Sequence, residues 1–242
     1  MSVRYEKLRC CAIERIGEYW LLHVERGGLD PGRPGQLFML RTDSLLLPRP
    51  MSLCLAPRGE LAFLIDAIGP GTESLVSLSS GEYLNVFGPL GHGFPDDVTN
   101  PVLVGGGIGM APLPYLSECL GSPPVLLGFR SSDLAAASCL IPGAEVFIDP
   151  VRVTEPLEEL LEARPSVTPL ACGPEPMLQS VARLSGESWL AHEAPMACGY
   201  GACYGCVVQI DGQLKRLCVE GPTLRASRLW QSDRSLETDL VV

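Results

Sequence analysis

The chain has 242 residues and a formal net charge of −10, with 46% hydrophobic and 19% charged residues. That composition excludes a disordered chain and leaves room for one or two packed domains with a small third module. The acidic balance and the lack of a basic run argue against nucleic acid or an anionic membrane as partner, and no apolar stretch approaches the roughly 20 residues of a membrane span.

The N-terminus is polar and carries no signal-peptide core, so the expected location is cytoplasmic. Residues 1–97 read as β-rich. Alternating apolar positions predict strands over 7–13, 19–24, 36–40, 51–55, 61–68 and 83–87, with one short helix over 72–78. Short strands at this spacing predict a small antiparallel barrel. From residue 98 the pattern changes. Apolar strands over 101–104, 125–129, 145–148 and 168–172 alternate with helices ending near 120 and spanning 155–163 and 175–184, which predicts a parallel α/β sheet over 98–188. Residues 189–242 are short-patterned and rich in Gly and Cys, a small cluster-bearing module with a tail of mixed charge (227–242). The expected fold class is therefore α+β and multi-domain.

Ten cysteines are present, and four of them fall close together. Cys198, Cys203 and Cys206 have the spacing C-x4-C-x2-C, and Cys218 follows after a further gap. This is the plant-ferredoxin spacing of a [2Fe–2S] cluster. Three thiolates converge from one loop, and the fourth is expected from a separate strand. Gly199, Gly201 and Gly205 would supply left-handed backbone and bring N–H groups toward the sulfurs. A structural zinc site more often pairs two C-x2-C knuckles, and disulfides are disfavoured in a reducing compartment. Cys10, Cys11, Cys54, Cys119 and Cys139 read as ordinary thiols, and His23, His92 and His192 as structural histidines.

Two loops belong to the α/β region. Gly105-Gly106-Gly107-Ile108-Gly109 follows the first parallel strand, where an open α/β sheet binds a dinucleotide. The spacing is not Gly-x-Gly-x-x-Gly, and a structural turn stays open as an alternative. Cys172-Gly173-Pro174 ends a later strand and would face the same crevice, with Cys172 either a buried thiol or a contact to a nicotinamide ring. In the barrel region, Arg49-Pro50-Met51-Ser52 offers an arginine for a phosphate or ring system. Gly71-Thr72 opens the short helix and offers N–H groups and a hydroxyl to a phosphate, or simply caps the helix.

The order of these motifs resembles the ferredoxin–NADP reductase superfamily. With the C-terminal Cys-Gly-x-Gly-x-Cys-x-x-Cys and Cys-Val-Glu-Gly-Pro over 218–222, it resembles the PyrK family, the electron-transfer subunits of class 1B dihydroorotate dehydrogenase. The resemblance spans almost the whole chain. It implies FAD held by Arg49 to Ser52, by backbone contacts from Leu64, Ile65 and Asp66, and by Gly71 and Thr72. It implies NAD at Gly105 to Gly109, with Cys172 to Pro174 near its reactive end, and no catalytic base for dihydroorotate in this chain. The implied partner is an FMN-containing dihydroorotate dehydrogenase catalytic subunit, two of each forming a heterotetramer in pyrimidine biosynthesis. One departure is visible: the family often carries a basic residue where Asp66 stands. Two other functions stay open: another NAD(P)H-dependent flavin and iron–sulfur reductase, and a flavin-free iron–sulfur regulator. NADP also stays open, because Arg130-Ser131-Ser132 follows the second parallel strand.

Overall fold

The computed structural model describes residues 3–229. Strands β1 (Arg4–Ile16), β2 (Tyr19–Glu25), β3 (Leu37–Arg41), β4 (Arg49–Ser52), β5 (Glu60–Ile65) and β6 (Tyr83–Leu90) form an antiparallel sheet in the order β4-β3-β6-β1-β2-β5. The open side beyond β4 is drawn together with β5. The N–H groups of Cys54 and Leu55 donate to the Ala62 carbonyl at 2.8 and 3.2 Å, and the Ala62 N–H donates to Leu55 at 2.9 Å. The six expected strands are thus present as the expected barrel-like sheet. The strand expected over 51–55 begins two residues earlier, because Arg49–Ser52 pairs with β3 before the chain turns toward β5. Helix α1 (Pro70–Val76) likewise starts ahead of its expected position, with Pro70 as its first residue.

Strand alternation gives this sheet two working faces. Leu61, Phe63 and Ile65 of β5 point into the barrel interior with Phe38, Leu40, Leu22 and Val24. Ala62 and Leu64 point the other way, with Tyr19 and Leu21 of β2, into a second core shared with the α/β region. Leu37 and Met39 of β3, also on the outer face, form a third contact with Leu90, Phe87 and Met196.

The second sheet contains β7 (Pro101–Gly106), β8 (Val125–Phe129), β9 (Glu145–Ile148), β10 (Thr168–Cys172), β11 (Trp189–Ala191) and, beyond a two-stranded hairpin made of β12 (Val207–Ile210) and β13 (Gln213–Arg216), β14 (Thr223–Arg225). Its order is β14-β11-β10-β7-β8-β9. The four expected parallel strands are in place. Between them lie α2 (Leu113–Cys119), α3 (Ser132–Ala135), α4 (Thr154–Ala163) and α5 (Glu175–Leu184). The chain between β7 and α2 makes a tight 3-10 turn over Gly107–Met110 and then re-enters a helix, because Pro112 and Pro114 cannot donate inside a longer one.

The first strand after residue 188 extends the central sheet. β11 pairs parallel with β10, and β14 returns antiparallel to β11, with Ala191 opposite Thr223. Both strands have three residues, too few for an alternating pattern to show. The segment between them carries the four cysteines and leaves from the edge of the central sheet. Among the described residues no helix is long and apolar enough to cross a membrane. The expectation for the tail over 227–242 falls largely outside the described residues.

Candidate functional site: a shared cavity and a cysteine loop

One cavity opens between the two sheets. Its barrel wall includes Pro50, Met51, Ser52, Leu64, Asp66 and Thr72, and its α/β wall includes Ile108, Gly109 and Cys172. Residues expected from separate motifs therefore face one space. Arg49 does not line the cavity but lies directly over Gly71, where even a Cβ would collide with its guanidinium. Arg49 Nη1 donates to the Leu47 carbonyl at 2.9 Å. The pairing explains why residue 71 is glycine: a larger side chain would evict the cation. Thr72 caps the helix start and also borders the cavity. Its hydroxyl exchanges hydrogen bonds with the Gly69 backbone, accepting from N–H at 3.3 Å and donating to the carbonyl at 3.1 Å, and the side chain borders the cavity. Ile65 is fully buried in the barrel interior, so that position can offer only its backbone.

The glycine loop works chiefly through close backbone packing. A Cβ on Gly109 would meet the Cys172 carbonyl oxygen and the Gly173 nitrogen, each at 2.6 Å. A Cβ on Gly106 would meet Met177 Sδ at 2.5 Å and Pro174 at 2.9 Å, and one on Gly105 would meet Leu127 at 2.7 Å. The two α/β loops thus touch main chain to main chain, which only small residues allow. Gly107 adopts φ +54° and faces open space apart from the Tyr19 hydroxyl. Gly105, Gly106, Gly173 and Pro174 stand behind Ile108, Gly109 and Cys172 and hold the wall in place.

Electrostatics inside the cavity favour neutral forms. Burial pushes the Cys172 thiol well above its ordinary value, and the nearby Glu193 carboxylate adds to this. Cys172 is therefore an uncharged thiol at the cavity wall. Burial also raises the Asp66 and Glu193 carboxyls and lowers His192. Glu193 has an exposed edge but is hemmed in on its cavity side, which is where the desolvation arises. His192, Glu193, Ala194 and Met196 form a wall that sequence reasoning missed, along with Gly35, Leu37 and Ile68. For His192 to Met196 the only signal in the sequence was proximity to the cysteines; Gly35, Leu37 and Ile68 carried none.

That wall runs directly into the cysteine loop. Cys206 and Cys218 are buried, with sulfurs 3.2 Å apart. Cys198 is half-buried and Cys203 exposed. Each sulfur receives a backbone N–H: Cys203 from Gly205 at 3.4 Å, Cys206 from Cys218 at 3.4 Å, and Cys218 from Gly201. Cys198 receives them from Cys203, Tyr200 and Ala202; burial alone would raise its thiol, but these donors and the Cys203 side chain bring it down to about 7. Burial and the Cys206 thiol push Cys218 up to about 12, because two close sulfurs resist both being ionised. Thiolates surrounded by N–H groups are the donor set that iron–sulfur ligation needs. The four cysteines, two buried and two more open, stand as a close pair, Cys206 with Cys218, and a second pair, Cys198 with Cys203, and are soft donors of the kind such a cluster takes.

Two expectations about this loop change. Cys218 comes from the first turn of α6 (Leu217–Glu220), not from a strand. The β12–β13 hairpin folds the chain back, and the Leu217 N–H donates to the Cys206 carbonyl at 2.9 Å, fixing Cys206 and Cys218 side by side. The left-handed residues are Gly199 (φ +79°), Gly201 (φ +85°) and Tyr204 (φ +57°), not Gly205. Docking on the barrel requires glycine at 199, where a Cβ would lie 2.5 Å from Met39. Tyr200 stacks edge-on against Phe87, ring centres 5.9 Å apart.

Comparison with known proteins decides the family. The chain is 32% identical over 247 residues to the electron transfer subunit of dihydroorotate dehydrogenase B (NAD(+)) of Lysinibacillus sphaericus, covering 91% of this chain and 96% of that one. This chain belongs to the family of dihydroorotate dehydrogenase B electron-transfer subunits. The relative from Listeria monocytogenes is 35% identical, with 81% and 87% of the two chains covered. The family model for the iron–sulfur cluster binding domain of dihydroorotate dehydrogenase B matches residues 193–230, the segment that includes all four cysteines and the Glu193 wall. A solved structure of an NADH-dependent reduced ferredoxin–NADP oxidoreductase superposes with a TM-score of 0.78 at 22% identity, over 92% of this chain and 89% of that one. That likeness concerns the fold: an antiparallel barrel, an α/β sheet and a cysteine-bearing C-terminal region.

Proposed function

We propose that this chain is the electron-transfer subunit of a dihydroorotate dehydrogenase. In this reading it passes electrons between NAD and an FMN-containing catalytic subunit that oxidises dihydroorotate to orotate, in pyrimidine biosynthesis. The supporting observation is continuity. The cavity between the sheets shares its wall, His192 to Met196, with the loop that presents Cys198. When bound, FAD exchanges electron pairs with NAD and single electrons with a [2Fe–2S] centre, which carries one at a time.

The chain's own residues would bind and orient these groups. Residues 1–97 hold the flavin: Arg49 and the Gly71–Thr72 helix start face its phosphates, and Pro50 to Ser52 with Leu64 to Asp66 border its ring system. Residues 98–188 hold NAD, with Gly105 to Gly109 beneath the nucleotide and Cys172 to Pro174 beside the nicotinamide. The neutral Cys172 thiol and the close-packed loops give that end a firm wall. Cys198, Cys203, Cys206 and Cys218 hold the cluster in residues 189–242. Dihydroorotate chemistry belongs to the partner, two copies of each subunit forming the assembly. The reading places it in the cytoplasm, where a reducing environment keeps the thiolates available to iron.

The chain, purified alone and reconstituted with FAD and iron, provides the test. NADH is expected to bleach its flavin absorbance, with no dihydroorotate oxidation until the catalytic subunit is added. A chain that takes up neither flavin nor iron after reconstitution overturns the proposal.

A further inference from the structure

Behind the cysteine loop stands a cation that takes no part in ligation. Arg216 is the last residue of β13 and is half-buried. Its Nη1 donates to the Gly201 carbonyl oxygen at 2.8 Å, and its guanidinium carbon lies 4.9 Å from the ring centre of Tyr204. Both partners belong to the stretch between the first three cysteines.

The contact with Gly201 has a chemical continuation. The carbonyl of Gly201 and the N–H of Ala202 are the two ends of one planar peptide unit. The Ala202 N–H is one of the donors to the Cys198 sulfur. A cation on the oxygen end polarises the unit and strengthens the donor at the other end, as in any chain of hydrogen bonds in a partly dry environment. Its neighbour, the Gly201 N–H, donates to Cys218. Arg216 thus backs a segment that serves two sulfurs of the set.

We infer that Arg216 is a positioning residue that tunes the cluster site, favouring its reduced state through the Gly201–Ala202 peptide and through its own fixed charge. Reduction adds one negative charge to the site, and the Arg216 cation behind the loop stabilises that charge. The ring of Tyr204, itself exposed, covers one face of the guanidinium and limits its hydration, which strengthens its field. The space is closely fitted. A Cβ at Gly201 would lie 2.6 Å from Val219 and 3.3 Å from Arg216 Nη1. The inference rests on the reading that the four cysteines hold the cluster.

The test is a redox titration of the holo chain followed by the electron paramagnetic resonance signal of the reduced cluster. Arg216→Gln and Arg216→Met remove the charge, and Arg216→Lys restores it. Each variant is first assayed for two irons per chain. A loaded neutral variant is expected to show a lower midpoint potential, with most of the shift recovered in Arg216→Lys. Slower reduction of an added one-electron acceptor, at unchanged flavin bleaching by NADH, is expected alongside it. A loaded neutral variant at the unsubstituted potential overturns the inference, as does failure of both neutral variants to hold iron, which would make Arg216 a structural brace. Absence of iron from the unsubstituted chain would instead overturn the cluster reading itself.

Discussion

The barrel and the cysteine segment are stabilised in different ways. The barrel interior is built from large, fully buried side chains such as Phe38, Phe63, Leu22 and Leu40, with Phe38 and Phe63 packed edge to face at 5.6 Å. The cysteine segment has a core of five buried residues, Cys206, Ile210, Leu217, Cys218 and Leu224, and two of these five are proposed ligands. Hydrophobic burial can hold the first region. The second is too small to rely on burial, and ligation must supply part of its folding free energy. In the proposed function, the region that passes electrons to a partner is therefore also the region most dependent on its inorganic group.

Substitutions should separate the two regimes. The largest effect is expected from Cys218→Ser: iron content should fall to background and the segment around it should lose protection from proteolysis, while the flavin absorbance persists. Loss of flavin together with iron would show that the two regions fold as one. Phe63→Ala should do the reverse, lowering stability by about 3–5 kcal/mol in denaturant unfolding while the protein that stays folded keeps its iron. Gly109→Ala is expected to cost on the order of 1–3 kcal/mol, because the new Cβ meets main chain that cannot swing aside. NADH binding should weaken with it, at an unchanged iron count.

Asp66→Lys should tighten FAD binding roughly five-fold, the equivalent of about 1 kcal/mol for a basic in place of an acidic side chain on the wall of a partly screened cavity that takes an anionic dinucleotide. A fluorescence titration of the apo chain would check it. The smallest effect concerns pH. Burial lowers the folded-state pKa of His192 below the ordinary value of 6.5. The unfolded chain then takes up the proton first, so stability should be intact above pH 6.5 and decline as pH falls below it. His192→Gln should flatten that decline in thermal melts without moving the barrel's response to denaturant.

The same contrast governs what could be read from the sequence. The barrel strands were legible because short apolar runs are punctuated by turn residues; β5 is buried on both faces, with Phe63 and Leu64 pointing to opposite cores. The iron–sulfur segment was legible because cysteine spacing is a chemical constraint with few alternatives. What escaped was local and conformational. Cys218 sits in a helical turn only because a hairpin returns it beside Cys206. Tyr204 is left-handed although Gly205 is next to it. β11 and β14 are three residues each and derive their identity from sheet pairing. Glu193 became a cavity wall through that pairing, which no local pattern announces. The union of Arg49 with Gly71 could be guessed as two motifs for one ligand, but not that the guanidinium would lie on the glycine itself.

The register of β11 against β14 has a consequence for how such a protein can be assembled. Ala191 and Thr223 are direct neighbours across the sheet, about 5 Å apart as adjacent strands require. Everything from 192 to 222 leaves and returns through that one narrow gateway. Topologically the cysteine segment is an oversized loop on an edge hairpin, a cassette whose two ends meet. A flavin reductase could acquire a one-electron outlet by a single insertion at this gateway, or lose it by a single deletion, without a rearrangement of either sheet.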